Sequence, residues 1–108
     1  MELDELRPKA NEVASLLKAL AHSERLLLLC ELAGAETGGG RTVTELMGAC
    51  GISQSLASQF LGRLKSEGWV ESRREGQMVR YRIADPRVGE LLATLKNLFC
   101  KPNSKKEN

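Results

Sequence analysis

Histidine occurs once in these 108 residues, at His22, and the chain has no Cys-x-x-Cys motif and no serine nucleophile elbow. Nucleophilic catalysis needs an activated side chain with a base in reach, so these absences argue against an enzyme. Gly38-Gly39-Gly40-Arg41-Thr42 lacks the Lys-Ser/Thr pair of a phosphate loop and reads as a linker. No cofactor is expected. No run approaches 18 apolar residues, and Met1-Glu2-Leu3-Asp4-Glu5 is acidic where a signal peptide is basic. No membrane association and a cytoplasmic location follow as expectations. Cysteine is sparse too: Cys30, Cys50 and Cys100 lie 20 and 50 positions apart. In a reducing compartment that spacing argues against a structural disulfide framework.

What remains is one small domain with a modest core, which a second subunit could usefully extend. Hydrophobic residues at 42% and charged residues at 28% describe an ordinary globular protein. The formal net charge of +2 conceals an asymmetry: residues 1–36 hold seven acids against four bases, residues 37–108 twelve bases against seven acids. Positive charge gathered on the C-terminal two-thirds is the sign that phosphate contact requires.

Apolar periodicity predicts five helices and a hairpin. Leu6, Ala10, Val13, Leu17 and Leu20 mark one face of a first helix. A second is expected to start with Ser23 as its cap and to run through Leu26-Leu27-Leu28-Leu29-Cys30 to Ala33, too densely apolar for a surface helix and therefore central. Gly34–Arg41 reads as a flexible connector. Thr42-x-x-Glu45 is a capping-box pattern opening a third helix, with Val43, Leu46, Met47 and Cys50 turned inward and Gly51 as its stop. Asp85-Pro86 opens a last helix faced by Val88, Leu91, Leu92, Leu95 and Phe99, which Lys101-Pro102 ends. The domain is expected to span 1–101, with a disordered polar tail over 102–108.

The fourth helix, capped by Ser53, buries Leu56, Ala57, Phe60, Leu61 and Leu64 and turns out Gln54, Ser55, Ser58, Gln59, Gly62 and Ser66. That outer face is polar but almost without charge, whereas solvated faces are usually charged. Gln and Ser both donate and accept, which suits base edges, and Gln pairs with adenine N6/N7. Small polar residues also merely fill surfaces; the three-residue turn Gly51-Ile52-Ser53 after a short amphipathic helix supplies the helix-turn-helix grammar that favours recognition. Two strands follow, Trp69–Arg74 and Met78–Ile83, joined by Glu75-Gly76-Gln77. The fold class is thus mainly α with a β-hairpin wing, a winged helix-turn-helix. Gln54, Ser55, Ser58 and Gln59 are the candidate base readers; Arg63, Arg73, Arg74, Arg80 and Arg82 are the candidate phosphate ligands. The expected partner is double-stranded operator DNA carrying an imperfect inverted repeat. A winged helix serving only protein contacts is the competing class, separable by salt-dependent binding to random DNA.

Leu20–Leu26, Gln54–Leu64 and Arg73–Ile83 carry a specific likeness: over about residues 10 to 100 the chain resembles the ArsR/SmtB family of bacterial repressors. Cys30 late in the second helix and Leu98-Phe99-Cys100 closing the last resemble its persulfide-sensing branch. The resemblance implies a homodimer built on the first and last helices. It also implies that Cys30 and Cys100 act as a sensing pair, linked by a disulfide or polysulfide when reactive sulfur species act as inducer and release DNA. From the residues alone, cysteine is also a small apolar side chain, and Cys50 is read that way. Cys50 and the long Gly34–Arg41 connector depart from the family pattern. Soft-metal members carry a Cys-x-Cys pair where Thr42 and Thr44 stand here, and the last helix has no His, so no metal site is expected. A soft-metal or arsenite response through thiolates, or a general redox response, is the alternative, although nothing in the spacing brings Cys50 near the other two thiols.

Overall fold

The computed structural model describes residues 2–35 and 39–100. A short helix α1 (Leu3–Leu6) and a 3-10 turn (Arg7–Lys9) precede α2 (Ala10–Leu20). Pro8 explains the break, because it lacks the N–H that an uninterrupted α-helix would use there. Then come α3 (Ser23–Gly34), β1 (Arg41–Thr42), α4 (Val43–Cys50), α5 (Gln54–Ser66), β2 (Val70–Glu75), β3 (Met78–Ile83) and α6 (Pro86–Phe99). The expected tail and the end of the last helix past Cys100 lie outside the described residues, as does part of the Gly34–Arg41 connector.

The helix starts follow local chemistry. Thr42 Oγ1 accepts from Glu45 N (3.2 Å) while Glu45 Oε1 accepts from Thr42 N (3.0 Å), closing the capping box. Ser53 Oγ accepts from Leu56 N (3.1 Å), and Asp85 caps α6 ahead of Pro86 by accepting from Arg87 N (2.9 Å). One cap differs from expectation. His22, not Ser23, caps α3, its Nδ1 accepting from Glu24 N (3.2 Å), with its ring edge-on to Phe60 at 5.1 Å between centroids. The lone histidine therefore has a structural role.

Helix α3 is central, as its density of leucine predicts: Leu28, Leu29 and Leu32 are fully buried, each stabilising the fold by about 1.5–3 kcal/mol relative to exposure. It packs against α2, α4, α6 and β3. The first-helix face departs from its sequence pattern. The core takes Leu16, Ala19 and Leu20, whereas Val13 and Leu17 stay exposed, as do Leu27, Leu98 and Phe99. Among the described residues nothing covers those apolar side chains.

The wing is a three-stranded antiparallel sheet in the order β1-β3-β2. β1 pairs Arg41 with Tyr81 and Thr42 with Arg80; two residues offer no alternation from which a strand could be read. Gly40 permits this pairing, since at φ +95 a Cβ there would run into the Tyr81 carbonyl. β2 pairs with β3 from Val70↔Ile83 to Glu75↔Met78. Glu71, Arg73, Arg80 and Arg82 therefore share one face, and Val70, Tyr81 and Ile83 the core-facing one.

Across the domain, Arg87 Nη2 donates to Glu12 Oε2 (2.7 Å) and to Asp85 Oδ2 (2.7 Å), tying α6 to α2. The hydrogen bond from Arg87 holds the Glu12 and Asp85 carboxyls below their ordinary 4.5 and 3.8. The Thr42 backbone N–H does the same for Glu45, ordinarily 4.5. Depressed carboxylates stabilise the fold above their unfolded pKa, and that contribution is lost as pH falls through the folded values. Thermal melts are expected to be flat near neutrality and to fall below about pH 4.5, with Glu12→Gln flattening part of that fall. A melting temperature insensitive to acid would refute these linkages.

Candidate nucleic-acid interface and thiol positions

The turn between α4 and α5 is set by Gly51, whose left-handed φ of 68° ends α4, and by Ile52, which drops into the core. Ala57, Phe60, Leu61 and Leu64 then seat α5 against the domain. Gln54, Ser55, Ser58, Gln59, Gly62, Arg63 and Ser66 are all exposed. All four candidate base readers thus lie on an uncovered surface, on a helix locked from behind by four buried side chains. Lys65 Nζ donates to Ser72 Oγ (2.7 Å), fastening the C-terminal half of α5 to β2 of the wing.

The five candidate phosphate ligands fall into two groups. Arg73 and Arg74 are exposed and form no salt bridge among the described residues. The other three already have carboxylates: Arg63 pairs with Glu67 (3.3 Å) and Arg82 with Glu71 (2.7 Å), both at the surface. Arg80 is the most committed. Its side chain is only 25% exposed, and its guanidinium meets Glu75 (3.2 Å), Glu45 (3.5 Å) and the Gly40 carbonyl (3.4 Å). It joins the wing to the capping box of α4. Sequence reading singled out Glu45 as a cap but could not show this second role, because Glu45 and Arg80 meet only through the β1–β3 pairing.

Cys30 on α3 and Cys100, which caps α6, are both exposed. Partial burial pushes the Cys30 thiol above its ordinary range; Lys96 pulls it back, and Cys100 adds a further upward push. α3 and α6 pack together, so the two cysteines come within range of each other's charge. Cys50 is half-buried, and its thiol is also raised, first by burial and then by Glu31 and Cys30. Sequence spacing offered no reason to bring Cys50 toward another thiol; the packing of α4 on α3 puts it within range of the charge on Cys30. Among the described residues, no group of three or more His, Cys, Asp or Glu side chains is arranged to hold a metal ion. No helix among them is long and apolar enough to cross a membrane.

Comparison with known proteins agrees with this architecture. Residues 22–72 match the family described as bacterial regulatory protein, arsR family. The HTH-type transcriptional regulator YgaV of Escherichia coli is 41% identical over 92% of this chain and 97% of its own length. The crystal structure of the transcriptional repressor BigR from Xylella fastidiosa superposes with a TM-score of 0.82 at 39% identity, covering 93% of this chain and 98% of that one. A homodimeric winged helix-turn-helix DNA-binding domain from Mycobacterium bovis, a possible ArsR-family regulator, superposes with a TM-score of 0.72 at 38% identity over 90% and 86%. The chain belongs to the ArsR family and is a winged helix-turn-helix DNA-binding transcriptional regulator.

Proposed function

We propose that this chain is a homodimeric repressor that binds an inverted-repeat operator when reduced and releases it when reactive sulfur species join Cys30 to Cys100. The observation that carries the DNA half is the exposed, uncharged polar face of α5, held rigid between a buried apolar face and an arginine-bearing wing. Two such helices entering successive major grooves lie roughly 34–36 Å apart, which matches an inverted repeat. The exposed Val13, Leu17, Leu98 and Phe99 on α2 and α6 support a dimer through the first and last helices, since a second copy would cover them.

The packing of α3 on α6, which brings Cys30 and Cys100 within range of each other's charge, supports the switch. Cys30 thiolate attacks the sulfane sulfur of a persulfide R–S–SH, forming Cys30–S–SH and releasing R–SH. Cys100 thiolate then attacks the sulfur attached to Cys30, forming the disulfide and expelling hydrogen sulfide. Both protein thiols are oxidised, and one sulfane sulfur is reduced by the same two electrons. A second persulfide equivalent inserts one further sulfur, giving a trisulfide and a second R–SH. A disulfide needs the two Cα atoms within about 7 Å; a longer bridge tolerates more separation. A thiolate repressor responding to arsenite or soft metals is the second reading, and the packing of α4 on α3, which puts Cys50 within range of the charge on Cys30, is the observation in its favour.

Light scattering with quantitative DNA binding tests the assembly. The reduced protein is expected at twice the chain mass. It is expected to prefer an inverted repeat selected from a random pool to scrambled DNA, with affinity for both falling steeply with salt. A monomer, or salt-independent binding, would remove this reading.

A further inference from the structure

A cleft of about 400 Å³ opens between α2, α3 and α5, lined by Asn11, Ser15 and Lys18, by Arg25, and by Arg63 and Glu67. Its charge is positive: three cations face one carboxylate, which Arg63 already pairs. Arg25 is held in place, with Nη2 donating to the Lys18 carbonyl (3.2 Å) and Cζ 5.7 Å from the Phe60 ring centre. Its Nε is buried and has no hydrogen-bond partner among the described residues. Lys18 and Arg25 form no salt bridge among the described residues. A guanidinium held by a backbone carbonyl and an aromatic ring, beside an ammonium with no carboxylate partner among the described residues, gives the cleft the fixed positive charge that an oxyanion needs.

The place of the cleft indicates where such an anion comes from. Residues two apart on a helix lie on nearly opposite flanks. Lys65 fastens one flank of α5 to the wing, and Arg63 opens onto the cleft at the other flank. Between them runs the polar face that includes Gln59, one turn before Arg63. A duplex whose groove receives α5 has one backbone against the wing and the other against this cleft. The apolar Val13 and Leu17 stand two residues from Asn11 and Ser15, so the surface assigned to dimerisation is turned away from it.

We propose that Lys18, Arg25 and Arg63 form a phosphate site on the side of the recognition helix opposite the wing, filled by a backbone phosphate of bound DNA or by a free phosphate anion. The DNA source rests on the operator reading above. The test uses the full-length protein with Lys18→Ala, which removes only an exposed side chain, and Arg25→Lys, which keeps the charge but loses the fork. In the DNA arm, Lys18→Ala is expected to weaken operator and random DNA alike. It should also lower the salt slope by about 0.9, so that raising salt from about 50 to 200 mM costs about 3-fold less affinity than in the wild type. In the free-anion arm, inorganic phosphate at constant ionic strength is expected to raise the melting temperature of the wild type more than that of either variant. A response in either arm supports the site and identifies its source. Unchanged slopes together with an unchanged phosphate response would overturn it. If the wild type bound no DNA, the operator reading would fail, and the free-anion arm alone would decide the cleft.

Discussion

Cys30→Ser and Cys100→Ser will each leave operator binding intact and abolish its loss on persulfide treatment. Both residues are exposed and neither belongs to the buried core, so replacing sulfur by oxygen leaves the folded, DNA-competent dimer in place. What disappears is the covalent tie between the central α3 and the end of α6. If α6 carries the dimer contact, that tie biases the separation of the two recognition helices. A coupling of about 1–3 kcal/mol, usual for allosteric regulators, corresponds to a 5–150-fold loss of operator affinity on oxidation. Rate also enters. Burial raises the Cys30 thiol, so its thiolate fraction, and with it the rate of bridge formation, grows as pH rises toward that raised value. Lys96 opposes the shift, so Lys96→Ala is expected to slow modification of Cys30 at a fixed neutral pH without changing its endpoint. Mass spectrometry of peptides spanning each cysteine, alongside anisotropy titrations, reads both. Persulfide-driven release from the Cys30/Cys100 double mutant would sink the dithiol mechanism. An arsenite response that also required Cys50 would promote the soft-metal reading.

Gln59→Ala is expected to cost about 1–3 kcal/mol of discrimination between operator and random DNA, the size of one bidentate base contact. Its effect on random DNA should be small. Arg74→Ala should weaken both DNAs and reduce the salt slope by about one unit, because this arginine is exposed at the wing and forms no salt bridge among the described residues. Arg80→Ala separates sequence reading from geometry. As a phosphate ligand, it would flatten the salt slope in the same way. Held by Glu45 and Glu75, it instead orients the wing against α4. The expected result is weaker binding to both DNAs, an unchanged salt slope and a melting temperature lower by a few degrees. A flattened slope would return Arg80 to the backbone, and equal losses on both DNAs for Gln59→Ala would take that residue off the base edges.

Local chemistry determined much of this protein. The capping box at Thr42 and Glu45, the Ser53 and Asp85 caps, the stop at Gly51 and the apolar face of α5 depend on neighbours within a turn or two, and all are legible in the chain. So is the density of leucine that sends α3 to the centre. The tertiary structure decided whatever depends on distant partners. Val13 and Leu17 carry the periodicity of a buried face, but periodicity cannot tell a face covered by its own chain from one left for another. The strand Arg41–Thr42 exists because β3 is there to pair with it. Arg80 looks like any other wing arginine until that pairing places it between Glu45 and Glu75. Cys50 comes within range of the charge on Cys30 because α4 lies on α3, and the cleft at Arg25 exists because three helices separated in sequence meet around it. Capping and amphipathicity act over a few residues and are written in order along the chain; charge pairing and packing act across space, and only the closed fold sets those distances.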